Sequence, residues 1–291
     1  TGSIHIAGTG GNSPGGDHVG VMISGSGTTV SSVVGDITIT GSGGVANNSA
    51  NTGVSVLSNT AIRSTATARI NITGFGGVGT DVNMGVRIQG NISAVDGDIT
   101  LVGTATDPTG DFNHGLQLAS GQITTTGNAG FFAQGTSSGS SGIDVRILSE
   151  TISLAGTQNI IAGDRISFDA GTAINAGTKP FSVQPRTAGL AVDLGSTLDT
   201  TAATLELSDA ELDRITASVL RIGNSLVGEI RVGAAISPAG TSTLHLLTSG
   251  NVSQSGAINV ANLAVQAGGQ VSLTAANQVG TISVETVTGN I

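Results

Sequence analysis

The sequence predicts an all-β chain folded as a right-handed parallel β-helix, a solenoid with three strands in each coil. Three observations lead to this prediction. They are the composition, the frequent apolar-polar-apolar triplets, and a repeat of about 30 residues in which three separate strand positions recur at nearly the same interval. We call each set of equivalent strands from successive coils a column. The 291 residues include 46 Gly and 5 Pro, and 10% of them are charged. Lys and Glu are scarce while Val, Ile, Thr and Ser are common, which is typical of short strands joined by many turns.

The first column is a strand whose clearest copy is GDITITG at residues 35–41. Its leading isoleucines recur at nearly constant intervals, and they are Ile4, Ile37, Ile70 and Ile99. Apolar and polar residues alternate along each copy, so one face of the strand should be buried and the other exposed to water. Parallel stacking of the coils would place these isoleucines above one another.

Two further columns keep nearly the same period. A glycine introduces each strand of the second column, and these glycines recur in step with the isoleucines of the first. The third column is centred on aliphatic residues that include Ile62, Ile92, Ile123 and Ile152. One such unit is too small to bury its own apolar face, which favours stacked coils over independent domains. The right hand is expected because crossovers between parallel strands overwhelmingly take it.

An asparagine lies two positions before the second-column glycine in three successive coils, at Asn51, Asn83 and Asn113. Stacked amides at a corner can pass hydrogen bonds from coil to coil and satisfy turn groups that would otherwise be unpaired. A row of ligand-binding side chains is the functional alternative. We favour a structural ladder, because Asn is also a common turn residue.

The repeat divides the chain into three regions. We predict long coils over 1–155, transition coils over 156–200 and short coils over 201–291. The long coils should have about 27–33 residues each. The short coils should have about 19–25 residues each, a length indicated by the even spacing of Leu244, Leu263 and Ile282. We expect one continuous solenoid that is a piece of a longer chain.

One local pattern is helical. Ser208 is followed three positions later by Glu211, which is the spacing of a capping box. We therefore predict a single helical turn near residues 209–215, at a coil corner, with Leu212 and Ile215 directed into the core.

Charge and composition argue against several functions. The net charge is −9 with a single Lys, so electrostatic binding to nucleic acid or to an anionic membrane is not expected. No Cys is present, which excludes disulfides and thiolate metal sites. No apolar run is long enough to insert into a bilayer, and no cofactor is predicted.

Catalysis and metal binding have little support. β-Helical enzymes that act on polysaccharides need clustered carboxylates, whereas Asp36 and Asp98 are two coils apart, roughly 10 Å. Trp and Tyr, which stack on sugars, are absent. We assign no catalytic residue. Asp107, Asp111 and Asn113 form a weak candidate Ca²⁺ site in one loop, but solvated turn acids are the favoured interpretation.

The GDITITG coils with their Asn-Gly turns, the segment LELSDAELDRI at residues 205–215 and the evenly spaced short coils together resemble the large repetitive surface proteins related to filamentous haemagglutinins. The resemblance is one of repeat style and composition, and it covers essentially the whole chain. It implies a secreted bacterial β-helical adhesin or fibre component. The amino-terminal secretion domain of those proteins is not part of this sequence, so their export route is not carried over.

We therefore expect a structural or adhesive rod segment of an extracellular or cell-surface bacterial protein, without catalysis. Expected partners are other copies in a fibre, neighbouring repeats of the same chain, and host or matrix glycans. A carbohydrate-binding or carbohydrate-processing β-helix is the alternative. The two differ in whether the purified segment turns over a polysaccharide.

Overall fold

The computed structural model describes residues 2–15, 17–45, 49–139, 141–197 and 204–288. It confirms the predicted fold class, an all-β chain built as a parallel β-helix with one short helical turn. The chain divides into two compact units, the first comprising residues 1–158 and 168–173 and the second comprising residues 159–167 and 174–291. The boundary predicted between residues 200 and 201 lies outside the described residues. No described helix is long and apolar enough to cross a membrane.

The first fifteen strands belong to the first unit. In chain order they are β1 (Ile4–Thr9), β2 (Val21–Ile23), β3 (Thr29–Ser32), β4 (Ile37–Ser42), β5 (Val54–Val56), β6 (Ala61–Ser64), β7 (Ile70–Phe75), β8 (Val86–Ile88), β9 (Asn91–Ala94), β10 (Ile99–Ala105), β11 (Leu116–Ala119), β12 (Gln122–Thr125), β13 (Phe131–Ser137), β14 (Val145–Leu148) and β15 (Thr151–Ser153). Each coil contributes three of them.

The three columns of the first unit stack in the register that the sequence repeat predicts. In the first column, Ile4 pairs with Ile37, Ile37 with Ile70, and Ile70 with Ile99, all between parallel strands. The third column stacks in the same way, and its members are Ile62, Ile92, Ile123 and Ile152. All of these isoleucines are fully buried except Ile4, which is half-buried. Stacked aliphatic side chains therefore form the core of this unit.

The remaining elements follow in chain order. They are β16 (Asn159–Ala162), β17 (Ile166–Phe168), β18 (Ala173–Asn175), β19 (Pro180–Gln184), β20 (Ala191–Leu194), β21 (Thr204–Leu207), α1 (Asp209–Leu212), β22 (Ile215–Gly223), β23 (Ile230–Val232), β24 (Thr241–Thr248), β25 (Val252–Gln254), β26 (Asn259–Ala267), β27 (Val271–Ser272) and β28 (Gln278–Thr286).

In the second unit, one long strand in a coil takes the place of two short strands that belong to different columns in the preceding coils. Strand β22 pairs with β18 at Ile215 and with β19 at Leu220, so it continues without a break across two columns. Strands β24, β26 and β28 stack on it in turn, and short strands β25 and β27 complete two of the coils. The short coils are possible because one corner has been removed.

The order of strands β20 and β21 is not the order of the chain. Val192 of β20 pairs with Leu205 of β21 on one side and with Ile230 of β23 on the other. Strand β21 therefore lies on the side of β20 away from the coil that follows. The sequence repeat predicts a monotonic stack and does not anticipate this reversal.

The helical turn α1 follows β21. The Glu211 N–H donates to the Ser208 hydroxyl oxygen at 3.3 Å, and the Ser208 N–H donates to Glu211 Oε2 at 2.9 Å, which is the predicted capping box. The helix ends at Leu212, so Ile215 belongs to β22 rather than to the turn. Both apolar side chains are fully buried, as expected.

Candidate functional site

The three predicted corner asparagines lie together in the first unit as a hydrogen-bonded chain, which we call the asparagine ladder (Asn51, Asn83 and Asn113). All three are fully buried. Asn83 Oδ1 accepts from Asn51 Nδ2 at 3.0 Å and from the Asn51 N–H at 3.2 Å, and Asn113 Oδ1 accepts from the Asn83 N–H at 2.7 Å. Each of these amide oxygens thus satisfies a backbone donor in the preceding coil, which a buried corner requires.

Asp107 lies beside the asparagine ladder, next to Asn83 and Asn113. Its carboxylate accepts from the Gly79 N–H at 2.8 Å, and from the Thr109 N–H and hydroxyl at 2.9 and 2.7 Å. Asn83 Nδ2 also approaches it at 3.4 Å. Burial raises the pKa of Asp107, but the hydrogen bonds from Thr109 and Gly79 outweigh burial, and the pKa lies below its ordinary value. The carboxylate is therefore ionised and surrounded by donors.

The candidate Ca²⁺ ligands are only partly brought together. Asp107 and Asn113 share a corner, since Asn113 Nδ2 donates to the Thr109 carbonyl and approaches that of Asp107. Asp111 is exposed, and its N–H donates to Asp81 Oδ1 at 2.7 Å. Within the described ranges, no group of three or more His, Asp or Glu side chains has a metal-binding arrangement. The oxygens of Asp107 and Asn113 accept N–H and O–H donors in this structure.

Asp36 and Asp98, the acids weighed for catalysis, act as acceptors between coils. Asp36 Oδ1 accepts the Arg69 N–H at 2.9 Å, and Asp98 Oδ1 accepts the Gly130 N–H at 2.8 Å. Asp96 binds the Asn128 N–H in the same way at 3.0 Å. A carboxylate at the start of a strand thus binds the next coil, and the signal in the sequence is an Asp that precedes a strand of the repeat.

Glu150 is a buried carboxyl group that the sequence does not reveal. It lies at a corner of the first unit, with no exposed surface, after Ser149 in the left-handed region at φ 49°. The Gly121 N–H donates to its Oε2 at 2.9 Å, while its Oε1 is buried and has no partner among the described residues. Burial raises the pKa of Glu150 to about 7, opposed by the Gly121 hydrogen bond.

Three polar side chains on the outward face of the second column have no hydrogen-bond partner among the described residues. We call Ser55, Arg87 and Gln117 the unpaired polar row. They are in register on adjacent strands, with Ser55 beside Arg87 and Arg87 beside Gln117. Ser55 is 4% and Gln117 6% exposed, and Arg87 Nε is buried without an acceptor in the part of the chain that the structure describes.

The next member of this column is paired. Arg146 follows Gln117 in register, and its Nη2 donates to Asp169 Oδ2 at 2.9 Å. His114 lies nearby and accepts the Ile143 N–H on Nδ1 at 3.0 Å, so its neutral ring carries the proton on Nε2. Arg146 Nη1 approaches that nitrogen at 3.5 Å, but two N–H groups face each other there, and we assign no hydrogen bond.

A second polar chain crosses the outward face of the second unit. Arg221 Nε donates to His245 Nδ1 at 3.3 Å, which leaves His245 Nε2–H to donate to Gln266 Oε1 at 3.1 Å. Gln266 Nε2 then donates to Glu285 Oε2 at 2.9 Å. Burial and the charge of Arg221 lower the pKa of His245, and its hydrogen bond to Gln266 partly opposes them. Because both ring nitrogens are engaged, this neutral imidazole offers no free base.

An open groove of about 320 Å³ lies at the Gln266 and Glu285 end of this series of hydrogen-bonded side chains. Gln266 and Glu285 line it together with apolar side chains that include Leu247 and Val287. Glu285 is its one carboxylate among the described residues, so the groove lacks the pair of acids that glycoside hydrolysis requires.

No protein-family model, curated protein or solved structure matches this chain.

Proposed function

We propose that this chain is a structural or adhesive rod segment of a secreted bacterial surface or filament protein, and that it catalyses no reaction. The observation that best supports the proposal is the use made of the polar side chains at the coil corners. Asp36, Asp98 and the asparagine ladder all accept hydrogen bonds from neighbouring coils. Groups that could have formed a reaction centre are thereby engaged in holding one coil to the next.

Stiffness would come from three kinds of contact that act together between each coil and the next. Backbone hydrogen bonds join each strand to the next coil, apolar columns supply cohesion inside, and corner side chains join the turns. A stretching force along such a stack acts on many of these contacts at once. The turns, which vary in length between coils, would present the adhesive surface.

Self-association into a fibre is the proposed mode of assembly. Ile282 continues the column of Leu244 and Leu263, which are buried, yet it is 54% exposed. An apolar side chain in this position favours packing against another coil, either from further repeats of the same chain or from a second copy. The proposed location is outside the cell or on its surface.

Electron microscopy combined with a turnover assay tests this proposal. We expect stiff rods whose length increases with protein concentration, and no release of products from a panel of neutral and acidic polysaccharides. Ile282→Asp should abolish the lengthening, whereas Leu226→Asp, at a side chain that is also exposed, should leave it unchanged. Saturable polysaccharide cleavage would overturn the structural assignment, and rods of fixed length at every concentration would overturn the assembly.

Carbohydrate binding is retained as a second candidate because one observation favours it. The unpaired polar row presents a guanidinium, an amide and a hydroxyl with unused hydrogen-bonding capacity on one outward face. Sugars are recognised by such groups. A binding screen with simple sugars separates this candidate from a purely structural role.

A further inference from the structure

We propose that the unpaired polar row of Ser55, Arg87 and Gln117 binds the carboxylate and hydroxyl groups of an acidic monosaccharide unit. The inference rests on the second proposed function, carbohydrate binding, and assigns its site and ligand class. It requires neither catalysis nor assembly.

The first step of the argument is the unused hydrogen-bonding capacity of the row. Buried polar groups in proteins nearly always have partners, and an orphaned donor on a charged group is costly. Arg87 Nε is buried without an acceptor among the described residues. Its neighbours in register, Ser55 and Gln117, make no side-chain hydrogen bond within the described ranges, and their polar atoms are open to solvent. An orphaned guanidinium nitrogen between two side chains with free hydrogen-bonding capacity indicates a surface that is completed by a ligand.

The second step is the charge of Arg87. Arg146 forms an ion pair with Asp169 and Arg186 forms one with Asp164, whereas Arg87 has no carboxylate partner among the described residues. This is notable in a chain with 19 acidic and 10 basic residues, where carboxylates are plentiful. The planar guanidinium fork matches the two oxygens of a carboxylate, so an anionic group is the expected partner.

The third step distinguishes an acidic sugar from a simple anion. Gln117 Oε1 is an acceptor and needs a donor from the ligand, and the Ser55 hydroxyl can serve in either sense. Inorganic sulfate supplies acceptors alone, whereas a sugar acid supplies a carboxylate and several hydroxyl groups. The three side chains lie on neighbouring strands about 4.8 Å apart, so the row spans about 10 Å, and one sugar acid centred on Arg87 lies within hydrogen-bonding reach of the side chains on both sides.

The net charge of the chain limits the ligand further. At −9 the protein repels polyanions at long range, which disfavours highly charged polymers. A ligand with a single carboxylate avoids most of this repulsion. The site therefore favours one acidic unit within an otherwise neutral saccharide.

The test uses the whole chain and three probes: D-glucuronate, D-glucose and inorganic sulfate. Amide chemical-shift changes in NMR titrations measure binding and its location. We expect saturable binding of glucuronate in about the millimolar range, with changes centred on β5, β8 and β11, and much weaker binding of the other two probes. Arg87→Met, which keeps an apolar stem, should weaken glucuronate binding at least about tenfold, whereas Arg63→Met on the exposed face of β6 should leave it unchanged.

Two further variants keep the test decisive if Arg87→Met fails to fold. Arg87→Lys retains the charge but not the fork, and Gln117→Leu removes the amide; each should weaken binding severalfold. Glucuronate binding that survives all three substitutions would overturn the site while leaving carbohydrate binding intact. Failure of the unaltered protein to bind any sugar would overturn both. Sulfate binding as tight as glucuronate binding would contradict the assignment to a sugar.

Discussion

The two units carry their connected polar groups in different places, buried at the corners in the first and on the outward face in the second, and coil length explains the difference. The long coils of the first unit have wide corners, and the asparagine ladder, Asp107 and Glu150 lie buried in them. The short coils of the second unit have lost a corner, and their connected polar groups, from Arg221 to Glu285, lie on the outward face. Parallel strand pairing is common to both units. The second unit does bury smaller polar contacts at its turns, such as the Thr248 hydroxyl that donates to the Val227 carbonyl. The corners, rather than the strands, therefore determine where amide and carboxyl side chains are buried in the first unit.

The largest effect is expected from the apolar column of the first unit. Ile70 is fully buried between Ile37 and Ile99, so Ile70→Ala should lower the free energy of unfolding by about 4 kcal/mol through lost burial and a cavity. Ile282→Ala in the second unit, at a side chain that is 54% exposed, should cost less than about 1 kcal/mol.

Native-state hydrogen exchange is the suitable measurement for both variants, because it reports the two units separately. Equal losses at Ile70 and Ile282 would show that the apolar column does not determine local stability.

The pH dependence of the first unit comes from Glu150. Its pKa is about 7 in the folded protein against an ordinary value of 4.5, so between these values the folded state binds more protons than the unfolded state. The free energy of unfolding should therefore fall by about 3 kcal/mol as the pH rises from 4.5 to 7, and the contribution of this group should be constant outside that window.

Denaturant unfolding at a series of pH values measures this slope. Glu150→Gln should flatten it in the first unit, whereas Glu229→Gln, at an exposed position in the second unit, should not. A slope that persists in Glu150→Gln would assign the titration to another group.

The asparagine ladder provides a sharper contrast between corner and outward face. Asn83→Ala removes the acceptor of the Asn51 N–H and one of the acceptors of Asn51 Nδ2, which keeps its bond to the Val78 carbonyl, so a loss of about 2 kcal/mol is expected. Asn262→Ala in the second unit removes an exposed bond from Nδ2 to the Ser242 carbonyl and should cost about 0.5 kcal/mol.

Thermal unfolding and hydrogen exchange of the Asn51 amide measure these losses. Unchanged protection of that amide in Asn83→Ala would remove the structural role of the ladder.

The apolar columns could be predicted from sequence because they depend on a local rule. Alternation along a strand and a constant period determine which residues face inward, so Ile37, Ile70 and Ile99 are recognisable without a structure. The asparagine ladder follows from the same period. The capping box at Ser208 is likewise local, since it depends on two residues three positions apart.

Features that depend on contacts between coils could not be predicted in the same way. Whether a polar side chain is buried, and whether it has a partner, depends on the neighbouring turns, which is why Arg87 and Glu150 have no signal in the sequence. Strand β21 beside β20 is a reversal of chain order, and periodicity carries no information about order. The sequence predicts a helical turn near 209–215, whereas the helix ends at Leu212 because Ile215 joins a long strand.

A smaller effect than that at Asn83 is expected at α1, where the second unit contains a partly buried polar contact at a turn. Ser208→Ala removes the hydroxyl that accepts the Glu211 N–H and should lower stability by about 1 kcal/mol. Ser208→Asp retains an acceptor at the cap but adds a charge beside the Glu211 carboxylate, so it should restore only part of the loss. Hydrogen exchange of the Glu211 and Leu212 amides is the measurement, since both lie in the first turn. A loss as large as that at Asn83 would contradict the distinction between the two units, because it would show that a short-coil turn depends on a polar contact as strongly as a wide corner does.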